Sequence, residues 1–315
     1  MLQFCLRIEI LSEKVVIAGG SGFIGQSLAK TFLSKDYEVV ILTRSPSGQR
    51  EGMSLVQWDG KSLGDWAQSL EGAVAVVNLT GKSINCRHTP ENKRKILESR
   101  LNSVRVIGEA ITRCAQPPTA FVQASAVGIY GNAGDRWCDE ETPPGDDFMA
   151  DVCRQWENVF KAVTAPATRK VLLRVGIALG PNGGFIQPLN RFARLFLGGH
   201  LGSGKQFISW IHLADLTQMF VRAVERAEIT GVFNATAPNP ATNAEFMREL
   251  RRAWQRPWSP PVPQWAVLMG AGLIGMEGSL AFYSQRCAPR NFLAQGFEFQ
   301  FPELPAALRE VVARS

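Results

Sequence analysis

The sequence predicts an α/β fold: a doubly wound parallel sheet followed by a smaller α-rich C-terminal domain. Three observations carry this. Short apolar runs alternate with helix-period segments over roughly the first 180 residues, which is the βαβ pattern. A glycine-rich turn joins the first run to the first helix. After Gly180 the texture changes to Gly/Pro-rich loops, and from Pro238 to Pro- and Trp-rich segments.

The elements follow in order. Lys14–Ala18 reads as the first strand and Phe23–Ser34 as a helix with apolar positions at Ile24, Leu28, Phe32 and Leu33. Glu38–Leu42 and Ser54–Gln57 read as strands, and Ala73–Leu79 as a fourth, buried one. A long basic amphipathic helix is expected from about Glu91 to Cys114. Ala120–Ala124 is the fifth strand, Phe148–Val163 a helix, Lys170–Val175 the sixth strand, and Phe233–Ala235 a return to the sheet. The expected domains are 14–235, with 180–205 lending itself to the substrate side, and 236–315. Trp265–Met276 is too short to span a bilayer and reads as a packed helix.

Composition narrows the function. Six cysteines stand singly without CxxC spacing, and three histidines lack an HExxH pairing, so a metal centre is not expected and reduced thiols in the cytoplasm are. Met1–Glu13 does not read as a signal peptide. Much of the net charge of +6 sits in residues 82–113, where eight Lys/Arg face three Asp/Glu. No interleaved aromatic pattern accompanies that patch, so a phosphate-bearing small molecule is expected there rather than nucleic acid.

The turn Gly19-Gly20-Ser21-Gly22-Phe23-Ile24-Gly25 is the sharpest signal. Gly19 permits the tight turn, Gly22 brings backbone amides close to a pyrophosphate, and Gly25 allows close helix–strand packing, while the helix N-terminus favours anions. This makes the sheet a Rossmann-type one, with Gly19, Ser21, Gly22, Phe23, Ile24 and Gly25 expected at a dinucleotide. Binders of NAD place a carboxylate about 20 residues on. Here Thr43 and Arg44 stand instead, a pair suited to a ribose 2′-phosphate, so NADP(H) is the expected cofactor. Its adenine is expected near Trp58 and Asp59.

Several segments together resemble one family. They are 19–25, Asn78-Leu79-Thr80-Gly81, Ser99-Arg100, Gly202-Ser203-Gly204, Ser209-Trp210-Ile211-His212, Ala237-Pro238-Asn239-Pro240, and the tail Gly296-Phe297 with Phe301-Pro302-Glu303-Leu304. The chain is similar, over residues 14–313, to NAD(P)-dependent epimerase-like proteins of the extended, atypical short-chain dehydrogenases, which carry a small C-terminal domain of unknown function. The resemblance implies that Leu79, Thr80 and Gly81 pass along the cofactor, that Lys95 or Arg100 reaches it, and that Ile177 lies at its nicotinamide end. A solvated helix face competes for Lys95, and a core position for Ile177.

Short-chain dehydrogenases use Ser, Tyr and Lys, the lysine lowering the tyrosine's pKa. Ser125 matches the serine. The tyrosine place falls on Phe148 or Met149 and the lysine place on Cys153, which reads as a buried thiol unable to do a lysine's work. Tyr130 is the remaining hydroxyl within sequence reach of Ser125, a donor rather than a base. His212 reads as a helix cap with Asp215, and the acidic run Asp135–Asp151 as a solvated loop over the pocket mouth. The expected function is an NADP(H)-dependent oxidoreductase or epimerase-like enzyme using Ser125 and Tyr130 on a small molecule. The alternative is a non-catalytic NADP(H)-binding regulator. No membrane partner is expected, and a homodimer is allowed.

Overall fold

Runs rich in Val, Ile and Leu make strands buried on both faces, and helices must then cover both faces. The computed structural model describes residues 12–181 and 183–315, so the N-terminal segment up to Leu11 lies outside the described residues. The first half comprises β1 (Lys14–Ala18), α1 (Phe23–Leu33), β2 (Glu38–Thr43), β3 (Gly48–Arg50), β4 (Met53–Gln57), β5 (Ala75–Asn78), α2 (Pro90–Arg113), β6 (Ala120–Ala126), β7 (Trp137–Cys138) and α3 (Phe148–Ala162). Then come β8 (Arg169–Val175), β9 (Ile177–Leu179), α4 (Ile186–Arg194), β10 (Phe207–Ile208), β11 (Trp210–His212), α5 (Leu213–Glu225) and β12 (Gly231–Ala235). The tail holds β13 (Ala241–Thr242), α6 (Asn243–Ala253), α7 (Gln264–Leu273), β14 (Arg286–Cys287), α8 (Arg290–Ala294) and α9 (Leu304–Ala313).

The sheet order is β12-β8-β6-β5-β1-β2-β4-β3. All neighbours are parallel except β3, which turns back antiparallel on β4 as a short hairpin. Strands therefore wind outward in both directions from the β1–β5 seam, and such a switch point is where Rossmann-type folds hold ligands. One face packs Ile17, Val122 and Leu173 against Leu28 and Phe32 of α1 and Phe220 of α5. The other packs Val16, Val76 and Phe121 against Val104 and Ile107 of α2 and Trp156 of α3.

The small lobe has its own core, drawn from both sides of residue 236. Leu179, Ile186 and Trp210 pack with Phe246, Leu250 and Leu308. Conversely, Phe292 and Phe297 join the sheet's core. One expectation needs correcting. The segment expected to pack as a helix does form α7, but α7 has no buried residue. His212 caps α5, its Nδ1 accepting from Ala214 N–H at 3.2 Å. Asp215 is turned away to receive the Gln300 and Phe301 N–H groups at 2.7 and 3.0 Å.

Candidate functional site

The glycine-rich turn is built by close approach. Gly19 has φ +78°, open to glycine at low cost, and a Cβ there would stand 3.1 Å from the Leu79 carbonyl carbon. A Cβ on Gly25 would lie 2.5 Å from Gly20 Cα. The Gly22 N–H donates to Gly19 O at 3.1 Å and closes the turn. Gly22 then starts α1 with no side-chain cap and no acid in the first turn, so the helix presents bare N–H groups and its positive end. Ser21 is exposed on this turn. The Phe23 ring turns away and supports Gly183 and Gly184, where added Cβ atoms would come within 2.4 and 3.0 Å of it, while Ile24 packs on the sheet core. These two residues can serve an anion only through backbone.

Neighbouring strand ends complete the edge. Gly19 N–H donates to Leu42 O at 3.2 Å, which sets the end of β2 beside the turn. Thr43 is buried and its Oγ1 accepts from Ser45 N–H at 3.2 Å, whereas Arg44 is exposed. Trp58 N–H donates to Thr43 O at 2.9 Å and brings β4's end alongside. Asp59 is exposed, and its Oδ1 accepts from the Lys61 and Ser62 N–H groups at 2.7 and 2.9 Å. These backbone bonds hold its carboxyl below the usual range.

Helix α2 holds the second loop. Asn78 Oδ1 accepts from Thr80 N–H at 3.0 Å, and its amide donates to Ser103 Oγ and Gln123 Oε1. Ser99 Oγ accepts from Lys82 N–H, and Arg100 Nη1 donates to Lys82 O at 3.0 Å. Arg100 stacks 5.2 Å over the Trp156 ring, and burial lowers its pKa. Gly81 leaves room for this side chain, since a Cβ there would sit 3.2 Å from the guanidinium carbon. Arg100 thus braces the loop. Lys95 points elsewhere and pairs with Glu91 at 2.5 Å on an exposed turn of α2. Thr80 Oγ1 is buried with no partner among the described residues. A buried hydroxyl without a partner is costly, and a ligand oxygen over this loop would satisfy it. The bare helix end, the glycine cradle and this hydroxyl all fit a pyrophosphate. Ile177 lies in β9, half-buried against the small lobe's core, its N–H donating to Ser209 O at 2.8 Å.

The two hydroxyls considered for chemistry stand in one buried polar row. Ser125, Arg174 and Asn234 are register neighbours across β6, β8 and β12. Ser125 Oγ donates to Glu157 Oε1 at 2.9 Å, and Glu157 grips Arg174 through both carboxylate oxygens. Arg174 Nη1 donates to the Tyr130 hydroxyl at 2.9 Å, which in turn lies 2.7 Å from both Asp139 O and Asn234 Oδ1. Tyr130 is 1% exposed, and desolvation raises its pKa well above the ordinary phenol value. Its single proton is already shared between two acceptors. Cys153, at the lysine place, is buried and pushed up to about 12 by desolvation. At the tyrosine place, Phe148 meets the His88 ring edge-on at 5.4 Å. Glu140, in the acidic run, is half-buried: its Oε1 accepts from the Asn234 and Asn291 N–H groups and its Oε2 has no partner among the described residues.

The NAD dependent epimerase/dehydratase family model matches residues 15–235, and a second, described as a domain of unknown function (DUF1731), matches 262–311. This chain belongs to the NAD-dependent epimerase/dehydratase family. Among family members, the epimerase family protein SDR39U1 of Bos taurus is 35% identical over 306 residues, which is 95% of this chain and 100% of that one. The chloroplastic homologue in Arabidopsis thaliana is 33% identical over 303 residues, 95% of this chain and 86% of that one. The crystal structure of the human SDR39U1 protein with NADPH superposes with a TM-score of 0.87 at 34% identity, covering 96% of this chain and 100% of that one.

The sequence singles out the loops Gly19–Gly25 and Asn78–Gly81 but not Glu157, Arg174, Asn234 or Gln123, which the fold buries in hydrogen-bonded clusters. The signal was present: polar residues interrupt apolar strand runs at Gln123 in the middle of β6 and at Arg174 and Asn234 near the carboxyl ends of β8 and β12.

Proposed function

We propose that this protein binds NADP(H) across the β1–β5 seam and acts as an oxidoreductase or epimerase-like enzyme on a small molecule. The observation that carries it is the end of β2, where Thr43 and Arg44 replace an acid beside an uncapped helix N-terminus. An arginine there attracts a 2′-phosphate that a carboxylate would repel. The relative crystallised with NADPH supports the same reading. In this reading the backbone of Gly19–Gly25 and the Thr80 hydroxyl hold the pyrophosphate, Thr43 and Arg44 hold the adenosine phosphate, and Asp59 shapes the adenine end. Leu79 and Gly81 line the ribose, Arg100 braces them from behind, and Ile177 bounds the nicotinamide end. When bound, the cofactor supplies hydride exchange at its nicotinamide ring. We assign the small-molecule substrate to the side of 180–205 and the cell location to the cytoplasm. Among the described residues no helix is long and apolar enough to cross a membrane.

A second reading, a non-catalytic NADP(H)-binding regulator, is favoured by one observation: the Ser125 and Tyr130 hydroxyls are both engaged inside the protein. The experiment is a titration with NADPH and NADH followed by energy transfer from tryptophan, then a panel of carbonyl compounds and nucleotide sugars. Tighter binding of NADH refutes the cofactor assignment. Tight NADPH binding without turnover on any substrate selects the regulator.

A further inference from the structure

Among the described residues, the small lobe shows more large apolar side chains to solvent than the rest of the molecule. Eleven of the thirteen large apolar residues exposed among the described residues lie in two segments, 185–197 and 258–274. The second contains α7, which is apolar nearly all round and has no fully buried residue. Such a helix ordinarily belongs in a core or in lipid, and exposed patches of this kind mark interaction sites.

The two segments are joined at their near ends. The Arg256 guanidinium lies 4.8 Å over the Phe196 ring, Trp254 Nε1 donates to Asn190 Oδ1 at 3.1 Å, and Gly202 N–H donates to Val262 O at 2.9 Å. The charge of this face is predominantly positive. Between Gly180 and Asp215 there is no acid but there are Arg191, Arg194 and Lys205, and between Leu250 and Met276 there is no acid but there are Arg251, Arg252 and Arg256. The carboxylates at the two ends of the second segment are engaged, Glu249 by Arg248 and Arg252 and Glu277 by the Ser279 hydroxyl.

Shape and charge decide the occupant. Leu273, Trp258 and Ile274 are 82%, 73% and 71% exposed, so they project rather than line a pocket. A symmetric contact between two copies would bring two patches of the same predominant charge together. We infer that this face docks the protein on an anionic lipid surface. Trp258, Trp265, Leu273 and Ile274 enter the headgroup boundary, and Arg191, Arg194 and Arg256 meet lipid phosphates. Tryptophan and aliphatic residues on one side with cations around them are the chemistry such surfaces select. Nothing in this depends on the cofactor assignment.

The test is co-sedimentation with vesicles of phosphatidylcholine alone and of phosphatidylcholine with phosphatidylglycerol. The protein is expected to partition onto the anionic vesicles only, with a blue shift of tryptophan emission and release at high salt. Arg191→Ala with Arg194→Ala lowers partitioning about thirtyfold, and Leu273→Glu with Ile274→Glu abolishes it. Circular dichroism melts matching the parent show that these variants are folded. Absence of binding to the anionic vesicles overturns the inference, as does unchanged binding by the folded glutamate variant. A parent dimer that the glutamates split into monomers, without vesicle binding, reassigns the face to a second copy.

Discussion

Arg174 and Glu157 meet through two hydrogen bonds of 2.9 Å, Nε to Oε1 and Nη2 to Oε2, with the side chains only 7% and 2% exposed. Removing one member of such a pair strands the other's charge in a dry site. Glu157→Gln is therefore expected to cost roughly 3–5 kcal/mol of stability, read by urea unfolding. Ser125→Ala removes only one bond to Glu157 and is expected to cost about 1 kcal/mol. A near-silent Glu157→Gln would show that the row does not hold these strands together.

Arg44→Asp places a carboxylate where the 2′-phosphate is assigned. NADPH affinity should fall at least about tenfold, since a charge-assisted bond is worth about 1.5–3 kcal/mol, while NADH affinity holds or improves. Equal losses for both cofactors would mean that Arg44 does not read the phosphate.

Gly25→Ala forces a methyl to within 2.5 Å of Gly20 Cα. The clash is with backbone, so no side chain can yield. A loss of about 1–3 kcal/mol is expected, together with loss of NADPH binding; Gly231→Ala is the wrong control because its φ is +90°, whereas Gly48→Ala meets nothing within 4 Å. Retained cofactor binding in a folded Gly25→Ala protein would contradict the assigned cradle.

Burial raises the Glu140 carboxyl above its ordinary range, only partly offset by the Asn234 and Asn291 N–H groups. The folded chain thus holds this proton more tightly than the unfolded chain. That contribution to stability is fully present below the unfolded pKa and is lost as pH rises through the folded one. Glu140→Gln keeps an accepting oxygen and removes the titration, so its melting temperature should gain on the parent's as pH goes from acid to neutral. A gap independent of pH would count against this.

The parts of the fold legible in the sequence were those written in periodicity and glycine. The seven parallel strands of the central sheet, helices α1 to α3 and the turn at Gly19–Gly25 all stand where alternation and spacing put them, to within a residue or two at their ends. The hairpin strand Gly48–Arg50 was not legible, because three exposed residues carry no apolar pattern. Beyond Ser125 and Tyr130 the polar row was not legible either, since Arg174 and Asn234 each sit alone in an apolar run and their partners Glu157 and Tyr130 lie on other elements. Lys95 and Arg100 looked alike on a basic helix. Only packing separates them, Arg100 turned under the Gly81 loop and Lys95 outward to Glu91.

Both margins of the eight-stranded sheet end in a way that discourages growth. At one, β3 offers only Gly48, Gln49 and Arg50, all exposed. At the other, Asn234 N–H donates to Glu140 Oε1 and Asn291 Nδ2 donates to Val232 O, each at 2.8 Å, so side chains occupy the backbone groups a foreign strand would seek. Short, charged or already satisfied margins of this kind resist edge-to-edge aggregation, which leaves the sheet closed to amyloid-like extension without a barrel's closure.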